Sequence, residues 1–269
     1  MRTIKQVLII ALVVLLAANI ATIIYQGTTD TTEPPVISCP DGVLEVSASV
    51  SEAELLADVT ASDGQDGDLT AHVIVASISK LISEDTAKVT YYVFDSDDNM
   101  ASYVRRIRYT DYRKPRFEVK EPLTYTVSEE IELLNRLAAN DVVDGDVSDQ
   151  IRVSTLEATE NSSIYNITIQ VTNSMGDTAA LTLPVLRQDW DPQRPEVLLS
   201  KYLVYVNQGA DFDPANYLAV VNVPNGEAEL SDVQIENWVD TTTVGTYRVF
   251  YSYTNEFGSG TAILTVVVQ

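Results

Sequence analysis

The sequence predicts an all-β chain, three tandem antiparallel β-sandwiches behind a single N-terminal transmembrane helix. Three observations predict it. The chain opens on an apolar run, the rest repeats with a period near 80 residues, and apolar and polar side chains alternate within each repeat. Alternation with a period of two puts one face of a strand in a core and the other in water. A repeat of this length is one small folding unit.

The apolar run is Val7 to Tyr25, 19 residues with Asn19 as its one strongly polar side chain. About 20 apolar residues at 1.5 Å each span a bilayer core. Arg2 and Lys5 precede the run and the next basic residue after it is Lys80, so the N-terminus is expected to stay cytoplasmic and the rest to be exported. A cleaved signal peptide is the alternative, but apolar residues continue past the best small-x-small site. The expected organisation is a cytoplasmic tail at 1–4, an anchor at 5–25, a linker at 26–34, and sandwiches at 35–111, 112–190 and 191–269.

Pro35, Pro115 and Pro195, spaced by 80, each open a strand-like run: PVISC, PRFEV and PEVLL. Proline at the start of an edge strand forfeits no ladder hydrogen bond. A second apolar stretch follows in each repeat, then a mixed segment with room for a helical turn. Further on, Val89, Tyr91 and Val93 alternate with polar neighbours, as do Ile167, Ile169 and Val171, and then Val249, Tyr251 and Tyr253. These nine are the predicted core faces. Asp98, Gly176 and Gly258 occupy equivalent places in the turns that follow, and Asp and Gly both accept a left-handed backbone. Pro184, inside the last strand of the second repeat, calls for a free edge or a bulge there. The run RRIRY, Arg105 to Tyr109, reads as a solvated strand face.

A net charge of -22 repels phosphate, so nucleic acid and anionic lipid are poor partners. With one cysteine, Cys39, no disulfide forms within the chain, and the thiol reads as a small buried strand residue. A single histidine, His72, removes two-histidine metal sites and most Ser-His-Asp schemes. No phosphate loop and no singled-out carboxylate pair is present, so no enzyme is expected.

The stretches VTASDGQDGDLTAHV and LAANDVVDGDVSDQI, with the terminal hairpin GTYRVFYSYTNEFGSGTA, resemble the bacterial immunoglobulin-like surface domains of the pesticidal-crystal-protein and HYR-like type. The resemblance covers residues 35–269. The third repeat departs from the pattern, since VPNGEAELSDVQI lacks the Asp-Gly-Asp triplet. The resemblance implies three Ig-like domains on a bacterial surface, in adhesion or as an extracellular scaffold, with no shared catalytic residues. The extracellular partner, protein or glycan, is not named by the sequence. A carbohydrate-binding array and an accessory subunit of an envelope membrane assembly are the alternatives.

The one candidate site is the corner formed by Asp63, Asp66 and Asp68 and repeated by Asp141, Asp144 and Asp146. Hard cations take carboxylate and carbonyl oxygens, which suits Ca2+. The spacing misses the EF-hand loop, however, and has no glutamate at its twelfth place. Turn formation needs less: Asp side chains accept from backbone N–H groups just downstream, and Asp-Gly supplies positive φ. The turn reading is preferred, with no cofactor and Ca2+ as the alternative.

Overall fold

The computed structural model describes residues 15–21, 33–159, 163–189 and 191–269. The expected anchor, residues 5–25, falls largely outside these; of it, 15–21 is helical. Among the described residues no helix is long and apolar enough to cross a membrane. The chain divides into two compact units, Met1–Thr110 and Asp111–Gln269.

In the first unit, β1 (Val36–Ser38) pairs with β3 (Thr60–Asp63), which pairs with the short β4 (Gly67–Asp68). The facing sheet has the order β2 (Leu44–Val46), β7 (Met100–Tyr109), β6 (Thr86–Phe94), β5 (Ile74–Ile78). Val89, Tyr91 and Val93 are fully buried, as their alternation requires. Between β2 and β3 lies one helical turn, α1 (Glu52–Leu56), started by a capping box in which Ser51 Oγ accepts from Glu54 N and Glu54 Oε2 accepts from Ser51 N. The Tyr91 hydroxyl, 2.8 Å from Leu55 O, ties that turn to β6.

The second unit uses the same order twice. Its first pair of sheets is β8 (Arg116–Val119), β10 (Leu137–Asp141) and β11 (Gly145–Asp146) facing β12 (Arg152–Ala158), β13 (Ile164–Thr172), β14 (Thr178–Gln188) and β9 (Thr124–Thr126). Phe117, Ala139, Ile169 and Leu183 come from both sheets into one core, with Ile167 and Val171 beside them. The second pair is β15 (Glu196–Leu199), β17 (Leu218–Val223) and β18 (Gly226–Glu227) facing β19 (Gln234–Asn237), β20 (Gly245–Asn255), β21 (Gly258–Val268) and β16 (Leu203–Val206). Val197, Val221, Val249, Tyr251 and Leu264 fill its core, and Tyr253 packs at its margin. Tyr251 repeats the role of Tyr91, donating to Pro214 O at 2.8 Å.

All three sandwiches carry a feature that alternation does not encode. β2, β9 and β16 run parallel to the last strand of their repeat, so the larger sheets are mixed rather than antiparallel. The chain leaves the first sheet after β1, β8 or β15 and joins the opposite one beside a strand of the same direction. The three opening prolines sit immediately before edge strands β1, β8 and β15, where no ladder donor is missing. Pro184 pairs with Asn166, but β9 joins the other side of β14 only from Leu186, so Pro184 lies where that side is still free.

Two residues depart from expectation. Arg105 is buried, at 6% exposure, because it shares the inward face of β7 with Ile107 and Tyr109; only Arg106 and Arg108 point to solvent. Asp58 compensates its charge, with Oδ1 2.7 Å from Nη1. Cys39 follows β1 and is half-buried, as the strand ends before it can carry the thiol into the core.

The three hairpin turns agree with the sequence. Asp98, Gly176 and Gly258 have φ of 63°, 81° and 132°. Asp98 is the non-glycine exception, and the left-handed region favours glycine. Asp98→Gly is expected to raise the stability of the first unit by about 0.5 kcal/mol, read as a higher denaturant midpoint with unchanged slope.

Candidate functional site

The acid corner is a β-hairpin followed by a single 3-10 turn. Asp63 ends β3, Gly67 begins β4 with φ of 78°, and the turn Thr70–His72 leads into β5, with His72 exposed. Asp141, Gly145 (φ 72°) and Ser148–Gln150 reproduce it in the second unit. Glycine is needed at these two positions because the chain reverses there through a left-handed residue.

Each of the six carboxylates meets donors of the fold itself. Asp63 Oδ1 accepts from Gln65 N at 2.7 Å and Asp66 N at 2.9 Å; Asp141 Oδ1 accepts from Val143 N at 2.8 Å and Asp144 N at 3.0 Å. Asp68 Oδ1 accepts from Thr70 N at 2.9 Å, and Asp146 Oδ1 from Ser148 N at 3.0 Å and Ser148 Oγ at 2.5 Å. The same hydroxyl-bearing residues reach back to the preceding strand, where Thr70 Oγ1 accepts from Ala61 N and Ser148 Oγ from Ala139 N.

The middle acid of each triplet reaches furthest. Asp66 takes both donors of Ser96, the N–H at 2.7 Å and the hydroxyl at 2.8 Å. Asp144 takes those of Ser174, at 2.6 and 2.5 Å. Ser96 and Ser174 belong to the β6–β7 and β13–β14 turns, so these aspartates clamp one sheet's corner to the other sheet's hairpin. Charge-assisted pairs of this kind are the stronger class of hydrogen bond. No local pattern announces the clamp, since donor and acceptor are 30 residues apart.

The second unit adds a buried layer. Asp141, 7% exposed, also accepts from Asn173 Nδ2 at 3.0 Å, and that amide donates to the Tyr112 hydroxyl at 2.9 Å. Tyr112 in turn donates to Asp177 Oδ2 at 3.1 Å, and Lys114 Nζ lies 3.5 Å from Asp177 Oδ1. Burial pushes the Tyr112 phenol up to about 12. Sequence reading missed Tyr112 and Asn173 because they become partners of the corner only after both sheets have formed.

The third repeat has a different corner. β17 and β18 close on Val223 and Gly226, leaving two residues in the turn where the first corner, closing on Asp63 and Gly67, has three. Asn225 precedes Gly226 where Asp66 precedes Gly67 and Asp144 precedes Gly145, so the clamping carboxylate is replaced, and among the described residues no such clamp joins this corner to the β20–β21 turn.

Backbone N–H groups hold the Asp63 carboxyl below its ordinary range, chiefly that of Asp66 and then that of Gln65. The hydroxyl and N–H of Thr70 do so for Asp68, and those of Ser148 for Asp146. A carboxyl whose folded pKa lies below its unfolded one stabilises the fold fully above about pH 4, and that stabilisation is lost as pH falls through the folded value. The melting temperature is therefore expected to fall as pH drops below about 4. The fall should be shallower in the variant Asp63→Asn, Asp68→Asn, Asp146→Asn, measured as melting temperature against pH.

The corner is thus rich in acceptors that already face donors. Among the described residues no three His, Cys, Asp or Glu side chains are grouped so as to hold a metal ion.

An uncharacterized 81.3 kDa protein of Acholeplasma phage L2 is 24% identical over 171 residues, which is 61% of this chain and 22% of that protein. The chain therefore spans about a fifth of that relative's length. Among solved structures, the CBM51-2 and INT domains of Clostridium perfringens ZmpB share 18% identity over 55% of this chain and 26% of theirs, with a TM-score of 0.24. Mouse cadherin-23 repeats EC22-24 share 15% over 88% of this chain and 99% of theirs, with a TM-score of 0.20. Likenesses this distant carry no inference about function. A family match falls on the third repeat, the one without the Asp-Gly-Asp triplet. Residues 198–268 match the family described as bacterial surface protein, Ig-like domain.

Proposed function

We propose that the chain is a non-catalytic protein of a bacterial cell surface whose Ig-like domains, 35–111, 112–190 and 191–269, work by protein–protein contact as an adhesin or extracellular scaffold. The observation that carries this reading is the corner: in both repeats that have it, the densest cluster of candidate chemistry is engaged by the fold's own donors. Function then falls to the outer surfaces of the sandwiches. The acids act as turn-formers rather than as Ca2+ ligands. The run Val7 to Tyr25, with Arg2 and Lys5 before it, supports an anchor at 5–25 that leaves the domains outside.

The test is binding of the full chain, in neutral detergent, to arrays of envelope proteins and of glycans, with calcium and with chelator. Saturable protein binding unaffected by chelator is the expected result. Retention on glycans with no protein binding would replace this reading by the second one. That second reading, a glycan binder, has one observation in its favour. A cleft of about 540 Å3 within the second unit is walled by Pro122, Pro184 and Pro224, with Glu121 and Asn222 at its surface. Tyr125, 2% exposed, also borders it, and its hydroxyl has no hydrogen-bond partner among the described residues. Glu129, Arg136, Asp191, Arg194 and Glu196 also line it, and hydrogen-bonding groups of both signs beside apolar walls suit a hydroxyl-rich ligand.

A further inference from the structure

We propose that two copies of this chain associate face to face through the outward surface of the β2-β7-β6-β5 sheet of the first unit. The inference deepens the contact reading above by naming a partner. The three copies of one scaffold differ on this face. On the outward face of the first repeat, Phe94 and Met100 pair directly, Thr90 pairs with Val104, and Ile74 pairs with Tyr92. Ile74, Phe94, Met100 and Val104 are each 46 to 54% exposed. The positions matching Phe94, Met100 and Ile74 are Thr172, Thr178 and Arg152 in the second repeat, and Thr254, Ser259 and Gln234 in the third. The fold is the same with polar residues there, so it does not require the apolar set. In the third repeat the Phe250–Ile263 pair, which matches Thr90–Val104, is half-buried within the second unit.

The same face is polarised along its length. On one side of the Tyr92–Ser102 pair lies the hairpin tip with exposed Asp97 and Asp98. On the other side Lys88 stands directly opposite Arg106. Like charges facing each other across strands destabilise a sheet. Neither residue has an ion-pair partner among the described residues, in a chain whose net charge is -22. The order along the strands is therefore acidic, apolar, basic. Both ends lie about 13 Å from the middle, at 3.3 Å per residue.

A surface with that order is complementary to itself. A two-fold axis through Tyr92 and Ser102 sets each acidic tip over the partner's Lys88 and Arg106 and stacks the apolar middles. This is the isologous geometry of a cyclic dimer. Strands β5, β6 and β7 offer roughly 15 Å by 30 Å, at the small end of specific interfaces, so the expected affinity is micromolar.

Sedimentation equilibrium of the full chain in neutral detergent tests this. The expected result is a dimer with a dissociation constant on the order of 10 µM that weakens in high salt. Lys88→Glu and Asp97→Lys should each weaken it about tenfold, and the two together should bring it back to within about threefold of the original. A purely structural effect gives no such restoration. Phe94→Ser should abolish association, with the melting temperature confirming that the variant is folded. A chain that stays monomeric at 100-fold that concentration, or one whose association ignores these substitutions, for instance because it runs through the N-terminal apolar segment, would overturn the proposal. Monomers that still bind proteins on the array would sink this inference and leave the contact reading in place.

Discussion

Tyr91→Ala is expected to destabilise the first unit by about 4 kcal/mol. The ring is fully buried at the centre of β6, and its hydroxyl satisfies Leu55 O at the end of α1. Truncation leaves a large cavity and an unpaired carbonyl, and it frees the helical turn from the sheet beneath it. Tyr91→Phe removes only the hydrogen bond and should cost about 1 kcal/mol. The ratio of the two losses separates packing from polar tethering. Hydrogen exchange is the direct readout. Protection should fall across Thr86–Phe94 while Gly245–Asn255, in the other unit, keeps its own. Equal loss in both strands would mean that the units do not unfold independently.

The second large effect is at Asp141. Asp141→Ala is expected to cost about 3 kcal/mol, because three donors lose their acceptor together in a buried place. Those donors are the N–H groups of Val143 and Asp144 and the Asn173 amide. The first repeat supplies the control. Asp63 makes the two equivalent backbone contacts, but Asp95 stands where the second repeat has Asn173 and brings no amide donor, and Asp63 is more exposed, so Asp63→Ala should cost clearly less. Chemical denaturation of both variants reads the difference as a shift in midpoint. Equal losses would mean that the Tyr112–Asn173 layer adds nothing.

Much of this architecture is legible in the chain. Val89, Tyr91 and Val93 announce a core face because burial on a pleated strand needs only alternation, a local property. The opening prolines and the three left-handed turn residues are equally local, and the structure places all of them as the pattern requires. What is not legible depends on which strands meet. The parallel seating of β2, β9 and β16 follows from a crossover between sheets, which leaves no periodic trace. Arg105 looks like one more solvated arginine until the register of β7 turns it inward toward Asp58. At the corner, the contacts of Asp63 and Asp68 can be read from the sequence, because Asx turns are local. The grip of Asp66 on Ser96 and of Asp144 on Ser174 cannot, because it forms only when two sheets close on each other.

The central claim is that these aspartates hold sheets together rather than ions. Scanning calorimetry of the full chain in millimolar calcium and in chelator tests it most directly, with the variant Asp66→Asn, Asp144→Asn run beside the parent. The account predicts that the parent melts at the same temperature in both solutions and that the variant melts lower by the same amount in both. A calcium-dependent rise in the parent that the variant lacks would contradict it.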